Sequence, residues 1–184
     1  MANTIVMTPQ EFANAVLAHQ RFVAGRAGGK RAELRFVNLS GLRFPRINLS
    51  GAILTGINLS RSTLHDADLG FADMFCANLV GADARGSNFF RADMRGAQMH
   101  GAKLVGANLS EAWAYGANLA GANLANANLT KAQFNSAKLS GANLANINLT
   151  STELNNTTWT DGVVCAQGSR GQCHALNQDS SYRF

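Results

Sequence analysis

In residues 116–130, GANLAGANLANANLT, leucine returns at every fifth position (Leu119, Leu124, Leu129), and alanine sits two residues before each, at Ala117, Ala122 and Ala127. The same register runs back to Leu34 and forward to Trp159 without a slip, with Phe44, Met74, Phe89, Met94, Met99 and Phe134 among the replacements for leucine. A period of five suits neither regular element. In an α-helix five residues advance about 500°, so the leucines would drift around the whole circumference; in a straight strand an odd step sends them to alternate faces. Either way, half of them would meet water. The conflict vanishes if each unit is a short extended piece, with the alanine and the leucine pointing the same way, followed by a bend that turns the next pair inward. Glycine at the second variable position, as at Gly41, Gly51, Gly56 and Gly81, suits such a corner. The chain reads as a solenoid whose stacked coils share one core.

These tandem Ala-Asn/Asp-Leu-x-x units resemble the pentapeptide repeat family over residues 32–161. The resemblance implies an all-β solenoid, a right-handed quadrilateral β-helix with four units per coil. Residues 32–161 would then make about 6.5 coils, and strands stacked about 4.8 Å apart give a rod on the order of 30 Å long. Residues 1–31 read as an N-terminal α-helical cap, 32–161 as the β-helix and 162–184 as a short irregular C-terminal cap. Two small core residues, Ala84 and Ala114, fall beside Phe89 in the same coil and Phe134 one coil on, so large and small side chains compensate.

A solenoid end exposes core and unpaired backbone, so both ends need covers. Thr8, Pro9, Gln10 and Glu11 form a capping box with proline at the first helical position, and Gly25 marks the stop. The apolar stripe Phe12, Val16, Leu17 and Val23 is expected to face the first coil. Gly28, Gly29, Lys30 and Arg31 lack phosphate-loop spacing and read as a flexible lead-in. At the other end Trp159 is expected to plug the last coil. Cys165 and Cys173 flank a glycine-rich stretch and are a candidate disulfide; a zinc site of Cys165, Cys173 and His174 is the alternative, without a fourth local ligand. Cys76 stands alone on the outside of the repeat.

Only 15% of the 184 residues are charged and 8% aromatic, which fits a repeat of small residues better than an ordinary enzyme. The net charge of +5 is confined to one end. Residues 1–46 hold Arg21, Arg26, Lys30, Arg31, Arg35, Arg43 and Arg46 against Glu11 and Glu33, and the remainder balances. No run is long and apolar enough to span a membrane. Around Ile5, Val6 and Met7 no basic region precedes an apolar stretch, so the expected compartment is the cytoplasm. Export is the alternative if a leader is missing from this sequence, and a disulfide would sit awkwardly with a reducing cytosol.

Catalytic patterns are scarce. His19, His65, His100 and His174 fall on the cap, on two different faces and on the tail, and no nucleophile elbow, phosphate loop or metalloprotease motif occurs. Asp66, Asp68, Asp73, Asp83 and Asp93 occupy outward positions; Asp73 and Asp93 stack about 5 Å apart, a glycosidase-like separation better explained as a solvated face. No catalytic residue, metal or cofactor is expected. Asparagine columns such as Asn88, Asn108 and Asn128 are expected to bond from coil to coil as ladders. The Asn-Leu-Ser/Thr triplets arise from the repeat itself and carry no weight as glycosylation sites.

The clearest functional pattern is an outward aromatic and charged cluster. Phe75, Arg95 and Tyr115 share a column, Asp73, Asp93 and Trp113 the next, and Phe71, Arg91, Glu111 and Lys131 the adjoining corner. Exposed Trp, Tyr and Arg are what protein interfaces use as anchors; alternatively the rings sandwich Arg95 while Arg91, Glu111 and Lys131 form a salt ladder. The first functional reading is a non-catalytic interaction or scaffold module for a protein partner. The second, implied by the family's quinolone-resistance members, is modulation of a topoisomerase, DNA gyrase, by DNA mimicry; this repeat is neutral where they are acidic and shows no dimerising C-terminal helix. The third is nucleic-acid binding through the basic end, Arg26, Lys30, Arg31, Arg35, Arg43 and Arg46.

Overall fold

Every backbone partner along the rod lies 20 residues away: Glu33 bridges Ile53, Ile53 bridges Asp73, and the parallel pairing continues in this way to Lys138 with Thr158. Four five-residue units therefore close one coil in this computed structural model, which describes residues 7–176. Ile5, Val6 and residues 177–184 of the expected C-terminal cap lie outside the described residues. Within each unit the leucine N–H donates to the coil above, as from Leu49 to the Asp68 carbonyl at 2.7 Å, and the outward residue returns a bond, as from Asp68 to the Ile47 carbonyl at 2.8 Å. A turn then bends the chain, as where the Ala52 N–H meets the Leu49 carbonyl at 2.9 Å.

The corner residue of each unit lies in the left-handed region. Gly96, for example, has φ +68°, and a Cβ there would press on the Cys76 sulfur one coil below at 3.2 Å. Toward the ends of the rod Phe44, Ile47, Leu144, Ile147 and Leu149 are only partly buried and Leu42 is exposed; through its middle the inward positions are buried, with Phe89 and Phe134 the largest residues inside. Ala84 and Ala114 are wholly buried among them. Where Ser62, Ser87, Thr152 or Thr157 replaces the inward alanine, its hydroxyl donates to a backbone carbonyl at 2.6–2.7 Å, which removes the penalty of burying it.

The N-terminal cap is α1, Pro9–Val23, begun by Thr8 and Glu11 in a reciprocal capping box. Its contact with the first coil differs from the expected stripe. Phe12 packs on Phe44 with ring centroids 5.0 Å apart, and Ala15 lies against the same core. His19 is buried, and its Nδ1 accepts the Ala32 N–H at 3.1 Å. Leu17 and Val23, expected inside, are exposed: the helix meets the coil along a line through residues 12, 15 and 19, Leu17 lies about 140° around from Phe12, and Val23, close to that line by angle, is the last residue of the helix. At the expected lead-in, residues 26–29 form a turn, with the Gly29 N–H donating to the Arg26 carbonyl at 3.1 Å. The Lys30 N–H donates to the Ala18 carbonyl at 3.0 Å, and Gly29 sits so close to the Phe22 backbone that no Cβ would fit.

The C-terminal cover is built of turns and isolated antiparallel bridges. Residues 162–176 fold back antiparallel, bridging Thr158 with Val164 and Glu153 with Arg170. The donors of the last half-coil are thereby satisfied: Leu154 bonds to Ser169, Asn156 to Cys165 and Trp159 to Val163. Trp159 is only half-buried, and this segment covers the side of the last coil through Leu154, Asn156 and Trp159, while Leu144, Ile147 and Leu149 stay partly exposed. Cys165 and Cys173 are bonded to each other, with Cα atoms 5.0 Å apart, which leaves no thiolate for the alternative zinc site.

Candidate interaction face

The 20-residue register brings the expected cluster together on one side. The face through residues 73, 93, 113 and 133 carries Trp113 beside Asp93, and its next outward column carries Phe75, Arg95 and Tyr115. The adjoining corner column is Phe71, Arg91, Glu111 and Lys131, with φ between 55° and 57° in all four. Phe71, Phe75, Trp113 and Tyr115 are each 44–56% exposed.

Arg95 is the fixed point of the face. It grips Asp93 with two bonds, Nε to Oδ1 at 2.8 Å and Nη2 to Oδ2 at 2.6 Å. Its guanidinium lies 5.7 Å from the ring centroids of both Phe75 and Trp113. Burial would raise the Asp93 carboxyl; hydrogen bonds and charge from Arg95 outweigh it and hold the carboxyl below its ordinary range. Asp73 is occupied too, accepting from Thr55 Oγ1 at 2.8 Å. Neither aspartate is free to act as a paired acid and base.

Along the corner, Phe71 meets Phe90 edge-on at 5.3 Å, Arg91 lies 5.2 Å over the Phe90 ring, and Arg91 Nε donates to Glu111 at 2.6 Å. The expected salt ladder stops there, because Lys131 has no carboxylate partner among the described residues. Phe71, Arg91, Glu111, Trp113, Lys131 and Gln133 line a shallow groove of about 640 Å³. Phe90 and Gln133 were not anticipated. Phe90 follows the inward Phe89, so its outward direction was legible, but its support of two corner side chains depends on geometry that the sequence does not show.

The remaining candidates are dispersed. Arg35 lies on the first face with Glu33 at 3.3 Å, Arg43 on the opposite one, and Arg46 at a corner. Arg31 Nε donates to the Gly51 carbonyl. Arg35, Arg43 and Arg46 therefore fall in different columns of the first coil. On the third face Asp83 binds Arg85 with two bonds of 2.8 Å and His65 at 2.8 Å. Hydrogen bonding from Arg85 is the largest influence, and it keeps that carboxyl well below its usual range. The asparagine columns divide their amides. The Asn88 carbonyl oxygen accepts the Phe90 N–H at 3.1 Å while also receiving the Asn108 amide from the next coil at 3.0 Å. No group of three metal-binding side chains occurs among the described residues.

A comparison with curated proteins finds no match. Among solved structures the chain is similar to HetL, a pentapeptide repeat protein involved in heterocyst differentiation regulation from the cyanobacterium Nostoc sp. strain PCC 7120. The identity is 27% over 73% of this chain and 81% of that chain, with a TM-score of 0.29. It is similar to Rfr23, a pentapeptide repeat protein from the cyanobacterium Cyanothece 51142, at 24% identity over 80% and 99% of the two chains, TM-score 0.35. It is similar also to QnrB1, a plasmid-mediated fluoroquinolone resistance protein, at 22% identity over 73% and 79%, TM-score 0.35. The pentapeptide repeats family model matches in eight copies spanning residues 43–75, 72–110, 102–141 and 127–158. With that match over most of its length and a backbone pairing that closes every fourth unit, the chain belongs to the pentapeptide repeat family, a right-handed β-helix solenoid.

Proposed function

We propose that this protein is a non-catalytic interaction module, a rod of about 6.5 coils over residues 32–161 between caps at 1–31 and 162–184, which binds a protein partner through Phe71, Phe75, Arg91, Asp93, Arg95, Trp113 and Tyr115. The corner column carries the reading. A non-glycine residue in the left-handed region costs about 1 kcal/mol, and glycine fills such corners at Gly81, Gly86, Gly96, Gly101, Gly106, Gly116 and Gly121. Four successive coils nonetheless place Phe71, Arg91, Glu111 and Lys131 at one corner, beside the exposed rings of Trp113 and Tyr115. Non-glycine corners also occur on the other edges, as at Arg61, Cys76, Asn126 and Ser136, so what supports a task on this face is the run of large and charged side chains beside the exposed rings. The Asp93 grip and the two flanking rings preorganise Arg95, which lowers the entropy lost when a partner docks.

The test is capture from a lysate of the source organism with the wild type and with a Phe75→Ala, Trp113→Ala, Tyr115→Ala variant whose circular dichroism is unchanged. A protein retained by the first and lost by the second supports the reading and identifies the partner; identical captures refute it.

A further inference from the structure

The groove beside Trp113 changes in chemistry along the rod. At its N-terminal end stands the exposed ring of Phe71; in the next two coils Arg91 and Glu111 neutralise each other at 2.6 Å; one coil further stands Lys131. The carboxylates of the coils on either side of Lys131 are both committed elsewhere. Glu111, in the same corner column, accepts from Arg91. Glu153, one coil beyond Gln133 on the adjoining face, accepts from Arg170 Nη2 at 3.2 Å and from the Asn135 amide at 3.0 Å. Lys131 therefore keeps an exposed ammonium with no carboxylate partner among the described residues, and with Arg91 cancelled by Glu111 it is the one uncompensated charge lining the groove.

We propose that this groove takes an extended acidic segment of the protein partner, with an aromatic or aliphatic side chain between Phe71 and Trp113 and an aspartate or glutamate on Lys131, and that Lys131 selects for the acid. The proposal rests on the interaction-face reading and adds to it the chemistry of what binds. Lys131 stands two coils beyond Arg91, about 10 Å, and an extended chain rises about 3.3 Å per residue, so the acid lies two to four positions from the apolar residue. A basic segment would leave Lys131 facing a like charge. A single-stranded nucleic acid could stack on the exposed rings, but it needs a track of free cations. On this face Arg91, Arg95 and Arg170 are each paired with a carboxylate, and Asp93, Glu111 and Glu153 would repel phosphates.

The test is selection of phage-displayed random twelve-residue peptides on the full chain, followed by fluorescence anisotropy of the selected peptides with the wild type and its variants. Selected peptides are expected to carry an aromatic or aliphatic residue with an aspartate or glutamate two to four positions away. Lys131→Glu, a residue the same corner column already holds at Glu111, is expected to weaken them about tenfold. Exchanging the acid of the peptide for lysine is expected to restore binding to that variant, which a merely structural lysine would not do. Phe71→Ala is expected to weaken binding and leave the preference for acid intact. Peptides that need Trp113 but show no excess of acid, or that bind Lys131→Glu as well as the wild type, overturn the proposal and leave the interaction face standing. A selection that yields no peptide also overturns it, and capture from lysate then decides separately whether the face itself stands. Binding of an oligothymidylate that depends on both Trp113 and Lys131 would make the groove a nucleic-acid site instead.

Discussion

Lys131 and His19 show how single residues carry stability and function in opposite senses. Lys131 has φ 57° and no ion pair among the described residues, so its place at the corner costs energy without a visible return in the isolated chain. Lys131→Gly removes that strain and concedes some unfolded-state entropy, for an expected net gain of about 0.5–1 kcal/mol. Urea unfolding measures it; a loss of stability would mean that the corner is not strained as argued. His19 works through its proton. Burial is the main reason its pKa lies below the ordinary 6.5; the Ser50 carbonyl opposes this and the nearby Arg31 charge reinforces it. The unfolded chain therefore binds the proton more readily than the folded one. The His19 contribution is complete above about pH 6.5 and is lost as pH falls through the interval below it, toward the lowered folded value. The melting temperature is expected to drop between pH 7 and pH 5, and less so in His19→Gln. The carboxylates Asp83 and Asp93, with lowered pKa values, begin to lose stability only in more acid solution. Equal slopes in the two proteins would show that His19 does not hold the cap. His19 was visible in the sequence as a histidine on the cap helix, but its burial was not, because it depends on which line of α1 meets the first coil.

At the scale of elements, the two caps differ in how far their residues announce them. The start of α1 was legible because a capping box and an N-terminal proline are local signals. Its buried line was not, since Leu17 is as apolar as the residues that do pack and only the docked angle separates it from them. The C-terminal hairpin left no period to follow beyond Trp159, and its antiparallel pairing answers a need of the last half-coil rather than a pattern of its own. The Cys165–Cys173 bond crosses that hairpin and closes a short loop, worth about 2–3 kcal/mol by chain entropy. Reduction, or Cys173→Ser, is expected to lower the unfolding free energy by that amount and to expose residues 162–176 to protease before the rod is cut. Coincident unfolding curves for the oxidised and reduced protein would show that the hydrogen bonds to Leu154, Asn156 and Trp159 hold the cap unaided.

For the whole molecule, register outranks length. The repeat made the solenoid legible because each unit states its inward pair locally, and stacking at 20 residues follows from four such units per coil. The outward face was legible only as columns; the grip of Arg95 and the support from Phe90 depend on side-chain geometry. A chain lacking residues 112–131 loses one complete coil, and the register then sets Gln133 over Asp93 where Trp113 stood. In a solenoid stability is close to a sum of repeats and their neighbouring contacts, so this chain is expected to fold cooperatively with a lower melting temperature. It also lacks Trp113, Tyr115 and Lys131, so partner binding is expected to fail in a protein that is still folded. Removing only residues 118–120 puts every later leucine out of step with its corner, and the smaller deletion is expected to cost more, because the inward positions above it no longer face the core. Far-UV circular dichroism and thermal unfolding of the two chains decide the matter. If the three-residue deletion proved the more stable, the five-residue register would not be what holds the coils together.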